Sequence, residues 1–244
     1  MRKIIGLILL VILCCQNSNA QTDTLATKKE EQKSFFPKII LPTTFILTAV
    51  VLTNSQSEKN LQKDVRNKVG NDYHNGMDDY IQYAPYAEIY LGDLVGIKAK
   101  NHWFDQTKNI AITGIVTTLI VLPLKIGIGK QRPDDSNSHS FPSGHTATSF
   151  AGATILYQEF KDSNPVLAYS GFVFATSTGG LRIMNNKHWI SDVLAGAGIG
   201  ILVANMVYYF EPLKNWNPVK KNNNISFFPI INEQEVTFVA AYKF

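Results

Sequence analysis

The 244-residue chain has only two cysteines, Cys14 and Cys15, and both fall in its first apolar run. Beyond that run there is no thiol, so disulfide stapling and thiol redox chemistry are excluded for the rest of the chain. Like charges do not cluster either: the formal net charge is +4 and the basic residues are scattered. That excludes the continuous cationic track a nucleic-acid backbone requires, and no nucleic-acid partner is expected. There is no internal repeat and no low-complexity segment. The length fits one well-filled core, so a single folded domain is expected.

The chain begins Met1-Arg2-Lys3, followed by apolar Ile4 to Cys14 and then Ser18-Asn19-Ala20. A basic start, an apolar run and small residues predict an export signal over residues 1–20, cut before Gln21. The alternative is an uncleaved anchor helix, for which the run is short against the ~20 residues a span needs. Lipid attachment at Cys14 or Cys15 is a further alternative, and the bulky Leu13 argues against it. Residues 21–38 are polar and predict a flexible lead-in.

From residue 39 to 212 a helical domain is expected. Ile39 to Thr53 is an apolar run opening near Pro42, and Ser55 to Asn75 reads as a polar, basic connector in which His74 is a surface histidine. Met77 to Ile97 reads as an amphipathic packed helix that does not span a membrane. Lys98 to Lys108 reads as a basic loop or interfacial segment. Ile110 to Ile128 is the longest clean apolar run; Thr146 to Tyr157, Val166 to Arg182 and Val193 to Phe210 follow. Gly196, Gly198 and Gly200 in the last of these permit close helix packing. In the tail, residues 213–244, Ile225 to Ile231 and Val236 to Phe244 predict a β-hairpin. The expected fold is all-α: an up-and-down helical bundle associated with a membrane, with a short C-terminal β-hairpin.

Three clusters carry chemistry: Lys125, six residues, then Arg132-Pro133; Pro142-Ser143-Gly144-His145; and Arg182, five residues, His188, three residues, Asp192. Phosphoryl transfer is catalysed mainly by cations placed in advance around the phosphate oxygens. Lys125 and Arg132 lie almost two helical turns apart, so both are expected on one helix face, with Pro133 closing that helix. Ser143 suits a helix cap, Gly144 admits an anion to the backbone N–H groups there, and His145 adds a group that titrates near neutral pH. Asp192 is expected one turn along the same face as His188, fixing its tautomer. In an up-and-down bundle these helix ends fall on one side, so one pocket can hold all three clusters.

The clusters resemble the signature of the type 2 phosphatidic acid phosphatase superfamily, which also holds bacterial acid phosphatases and vanadium haloperoxidases. The resemblance implies that His188 attacks phosphorus and forms a phosphohistidine, with Asp192 orienting it. It implies that His145 protonates the leaving oxygen and then activates water, and that Lys125, Arg132, Ser143, Gly144 and Arg182 hold the phosphoryl oxygens. No metal and no cofactor are implied. Where many members have a serine before the third-cluster arginine, this chain has Leu181, so one phosphate hydrogen bond is absent or comes from another group. The expected substrate is a phosphate mono- or diphosphate ester of a membrane lipid; the alternatives are an exported soluble acid phosphatase and a vanadate-dependent haloperoxidase. With the basic stretch from Lys59 to Lys108 inside, the site of an inner-membrane enzyme would face the periplasm.

Overall fold

The computed structural model describes residues 35–213, Trp216, 225–231 and 236–242. The expected export signal lies outside the described residues, as does all of the expected lead-in before Phe35. Among the described residues eight helices follow in order: α1 (Phe36–Leu52), α2 (Gln56–Val69), α3 (Asp78–Ile81), α4 (Ala84–Leu94), α5 (Trp103–Ile128), α6 (Gly144–Phe160), α7 (Pro165–Met184) and α8 (Ile190–Phe210). Strands β1 (Ile225–Ile231) and β2 (Val236–Tyr242) pair antiparallel, with Ile225 opposite Tyr242.

Helix α6 is the centre of the bundle. Ile155, Leu156 and Phe160 from it, Ile89 from α4, Ala168 from α7 and Ala204 and Tyr208 from α8 form one buried cluster. Glycines set the α6–α8 spacing: a Cβ on Gly200 would lie 2.3 Å from the Ala147 carbonyl oxygen, so only a residue without one lets the two backbones meet. Helix α5 is inverted by comparison. Its buried stripe is Gln106, Thr113, Thr117 and Val121, while Ile115, Leu119, Leu122 and Ile126 face outward. An exposed apolar face of this length is stable only against lipid or a partner. Helices α5 and α8 are long and apolar enough to cross a membrane, and α1 with α2 passes only as a pair bent by 92°. These helices mark a membrane protein.

Several local expectations change. Helix α1 opens at Phe36 with Pro37 in its first turn, and Pro42 lies inside it. An internal proline has no N–H for the carbonyl four residues earlier; here that carbonyl, of Lys38, accepts from Asn205 Nδ2 at 3.0 Å. The connector expected from Ser55 is largely helix α2, capped by the Ser55 side chain. It buries Glu58 and Gln62, so its inward face carries no apolar periodicity to read. The helix expected over Met77 to Ile97 is two, α3 and α4, and the basic loop expected to Lys108 already becomes α5 at Trp103.

The chain alternates between the two ends of the bundle. Phe35 stacks on Tyr209, with ring centroids 4.5 Å apart, at the end where α8 finishes. Gly92 sits against the Phe160 ring at that same end, and Lys100 N–H donates to Glu159 O there at 2.8 Å. Residues 53–83, 129–143 and 185–189 occupy the opposite end, where Arg66 Nη1 donates to Met184 O at 2.8 Å. The basic stretch from Lys59 to Lys108 is therefore divided between both ends, contrary to the expectation that it lies on one side, because α4 carries the chain across.

Candidate active site

The site is built where α5 and α7 finish and α6 and α8 begin. Ser143 is the N-cap of α6; its backbone N–H donates to Asp192 O at 2.9 Å, tying the start of α6 to the start of α8. Its hydroxyl accepts from Thr146 Oγ1 at 2.9 Å. A Cβ on Gly144 would lie 3.8 Å from Lys125 Cε, so the second cluster rests on the lysine of the first. Lys125 Nζ donates to His139 O at 2.9 Å, which holds the 129–143 loop over the site. Arg132 departs from expectation. Helix α5 stops at Ile128 because Gly129 adopts the left-handed cap, φ 62°, so Arg132 projects from the loop and not from a helix face shared with Lys125.

His188 also differs in its setting. It precedes α8, in the turn after α7, and meets Asp192 because that residue, three past the Trp189 N-cap, reaches back. Asp192 Oδ2 accepts from Trp189 N–H at 2.8 Å and lies 3.4 Å from His188 Nδ1. Ser140 Oγ donates to the same carboxylate oxygen. The His188 side chain is 2% exposed. Burial, more than any neighbour, pulls its pKa down to about 4; Asp192 opposes this, while Lys125 and Arg182 reinforce it. The imidazole is thus neutral at neutral pH. With a carboxylate on the Nδ1 side the proton sits there, leaving the Nε2 lone pair available as a nucleophile.

The cations converge without full compensation. Arg182, in the last turn of α7, pairs through Nη1 with Asp78 Oδ2 of α3 at 2.6 Å, while its Nε has no partner. Arg132 Nε is likewise buried without one. Burial first, then the neighbouring Arg182, holds Arg132 below the usual guanidinium value. Unsatisfied guanidinium N–H groups this deep call for an anion. His145 Nε2 meets Asp79 Oδ1 at 2.8 Å; burial, then Arg182, lowers its pKa, and Asp79 and Asp78 oppose.

All eight sequence-predicted residues therefore lie at one end of the bundle, on four helices and the segments that join α5 to α6 and α7 to α8. Sequence reasoning missed Ser140, the α3 carboxylates Asp78 and Asp79, and a buried Lys130–Glu58 pair behind Asp192, with Lys130 Nζ 2.9 Å from Asp192 Oδ1 and 3.0 Å from Glu58 Oε1. Lys130 lies inside the six-residue gap of the first cluster, where spacing treats it as filler.

Known proteins are similar to this chain. The family model described as PAP2 superfamily matches residues 107–216. A lipid A 1-phosphatase of Porphyromonas gingivalis is 32% identical over 181 residues, 74% of this chain and 40% of that protein. A non-specific acid phosphatase of Salmonella typhi is 40% identical over 73 residues, 28% of this chain and 28% of that protein. The chain thus spans well under half the length of either relative. Among solved structures, the first transmembrane PAP2 type phosphatidylglycerolphosphate phosphatase from Bacillus subtilis matches with a TM-score of 0.51 at 20% identity, covering 74% of this chain and 99% of that one. Through residues 107–216, the segment that carries all three clusters, this chain matches the PAP2 superfamily.

Proposed function

We propose that this protein is a phosphatase that hydrolyses a phosphate mono- or diphosphate ester of a membrane lipid through a phosphohistidine. The observation that carries the reading is a neutral, buried His188 backed by Asp192 and surrounded by Lys125, Arg132 and Arg182, with two guanidinium N–H groups unpaired. His188 Nε2 attacks phosphorus as the bond to the leaving oxygen breaks, and His145 gives that oxygen its proton. Water, deprotonated by His145, then splits the P–N bond and releases orthophosphate. Lys125, Arg132 and Arg182 hold the phosphoryl oxygens, and the α6 N-terminus at Ser143-Gly144 adds backbone N–H groups. The lipid A 1-phosphatase relative and the outward apolar face of α5 support a lipid ester over a soluble one.

The test is phosphate release by purified full-length protein across lipid and soluble phosphoesters, with His188→Ala as control. His188-dependent turnover, fastest on lipid phosphates, is expected; no release, or release unaffected by His188→Ala, contradicts the reading. The acid phosphatase relative favours one competing reading, a soluble enzyme. Carbonate washing separates the two: the protein is expected to stay with the membrane, and its release would favour the soluble enzyme.

The reading extends to an inner-membrane enzyme whose site faces the periplasm. Lys38, Lys98, Lys100, Lys108 and Lys161 lie at the end away from the site. Four basic residues of α2 stand at the site end, where the remaining cations are mostly built into the site itself. This bias sets the far end inside. Phe35 is then on the inner side, so an outward site and a cleaved signal over residues 1–20 are alternatives. A reporter placed in the 134–140 loop decides: an external signal supports the placement, a cytoplasmic one overturns it.

A further inference from the structure

Behind Asp192 lies a buried charge cluster that the phosphate chemistry does not use. Lys130 Nζ donates to Asp192 Oδ1 at 2.9 Å, to Ser191 Oγ at 2.6 Å, and to Glu58 Oε1 and Oε2 at 3.0 and 3.1 Å. An ammonium has three protons, so this one is saturated. Its side chain is 3% exposed, that of Glu58 1% and that of Asp192 0%. Phe141 and Trp189 rings flank the ammonium at 5.9 and 5.6 Å. Glu58 is anchored in turn by Asn54 N–H at 2.8 Å, by Ser191 N–H at 3.2 Å and by the Ser191 hydroxyl. Glu58 belongs to α2, outside the family-matched residues 107–216.

Burying three charges is costly unless the group has work to do or every charge is paired. Lysine alone beside Asp192 would neutralise the carboxylate that has to hold His188. The second carboxylate, on the far side of the lysine, restores the balance. We propose that Glu58 and Lys130 are positioning residues of the phosphoryl transfer: the Lys130 ammonium fixes the Asp192 carboxylate from behind, and Glu58 keeps the cluster at a net charge of −1.

This rests on the phosphohistidine reading. As Nε2 bonds to phosphorus and the leaving oxygen departs with the His145 proton, the ring keeps its Nδ1 proton and acquires one positive charge. A cluster of −1 matches it; a cluster of zero would not stabilise it, and one of −2 would raise the pH below which the ring is protonated and cannot attack. The groups facing His188 are Asp192 from α8, Ser140 from the loop, Lys125 from α5 and Arg182 from α7. Lys130 and Glu58 act on the ring only through Asp192 and through their own charge.

Opposite charge changes therefore have opposite effects on the acid limb of kcat/KM, where protonation silences His188. The full-length protein in detergent is assayed on para-nitrophenyl phosphate as wild type, His188→Ala, Lys130→Met, Glu58→Gln and the Lys130→Met/Glu58→Gln double variant. Lys130→Met is expected to move the limb up by about one pH unit, Glu58→Gln to move it down by about as much, and the double variant to return it to the wild-type position. A merely structural pair would lower rates without this sign pattern, so unmoved limbs, or limbs that move the same way, overturn the inference and leave the phosphatase reading standing. A wild type without His188-dependent turnover overturns both. Where Lys130→Met is not recovered folded, Glu58→Gln decides alone by the same rule.

Discussion

Substituting alanine for Gly196 tests whether packing places the nucleophile. A Cβ at this position would lie 2.4 Å from the Ser143 carbonyl oxygen and 3.2 Å from Ala147 N. An unstrained contact needs about 3.4 Å, so the start of α6 has to move by about 1 Å relative to α8. That movement separates Ser143, Gly144 and His145 from His188, because the first three ride on α6 and the last is fixed to the start of α8. Misplacement of about 1 Å costs on the order of 10²-fold in rate. Overpacking adds ~1–3 kcal/mol of destabilisation, partly offset by the ~0.5–1 kcal/mol that alanine contributes over glycine in a helix. Gly180→Ala is the control, since nothing lies within 4 Å of its Cβ; it is expected to keep the wild-type rate and to melt slightly higher. The assay is kcat on para-nitrophenyl phosphate with thermal melting of the same detergent-solubilised samples. Gly196→Ala turning over at the wild-type rate would refute the reasoning.

Other consequences follow from the site. His188 is neutral down to about pH 4 and His145, as the acid, must be protonated below its ordinary value, so kcat/KM is expected to be bell-shaped with its maximum on the acid side of neutrality. A profile still rising above pH 8 would contradict the assigned roles. Removing the Asp79 carboxylate that opposes the lowering of the His145 pKa moves the alkaline limb to lower pH, so the profile of Asp79→Asn checks that contact; an unmoved limb refutes it. Asp192→Asn keeps the shape but not the tautomer, and a loss of roughly 10³–10⁴-fold in kcat with little change in KM is expected. Arg132→Lys keeps the charge and loses the fork, so orthophosphate inhibition is expected to weaken by about tenfold or more; inhibition equal to wild type would remove Arg132 from the site.

Helices α5 to α8 were legible because each is a long apolar run bounded by polar turns, and the clusters sit at those boundaries. Their convergence followed from the alternation of the helices alone. Helix α2 was not legible: it turns Glu58 and Gln62 inward and so shows no apolar stripe. Short α3 carries two carboxylates whose partners, Arg182 and His145, lie about 104 and 66 positions away in sequence, and no local pattern reports such a pairing. Arg132 was misplaced onto a helix because proline was read as the stop, whereas Gly129 ends α5 three residues earlier. His188 and Asp192 have the separation of one helical turn, yet the pairing comes from a helix start, where the third residue reaches back past the cap. Spacing found the right partners there for a different geometric reason.

The chemistry stands on His188 carrying the phosphoryl group. Rapid quenching of the full-length protein with a ³²P-labelled phosphoester, followed by peptide mapping, reads this directly. The label is expected on the peptide containing His188, stable to base, labile to acid, and absent from His188→Ala. Label on another residue, or full turnover with no phosphoenzyme formed at any quench time, would contradict the account.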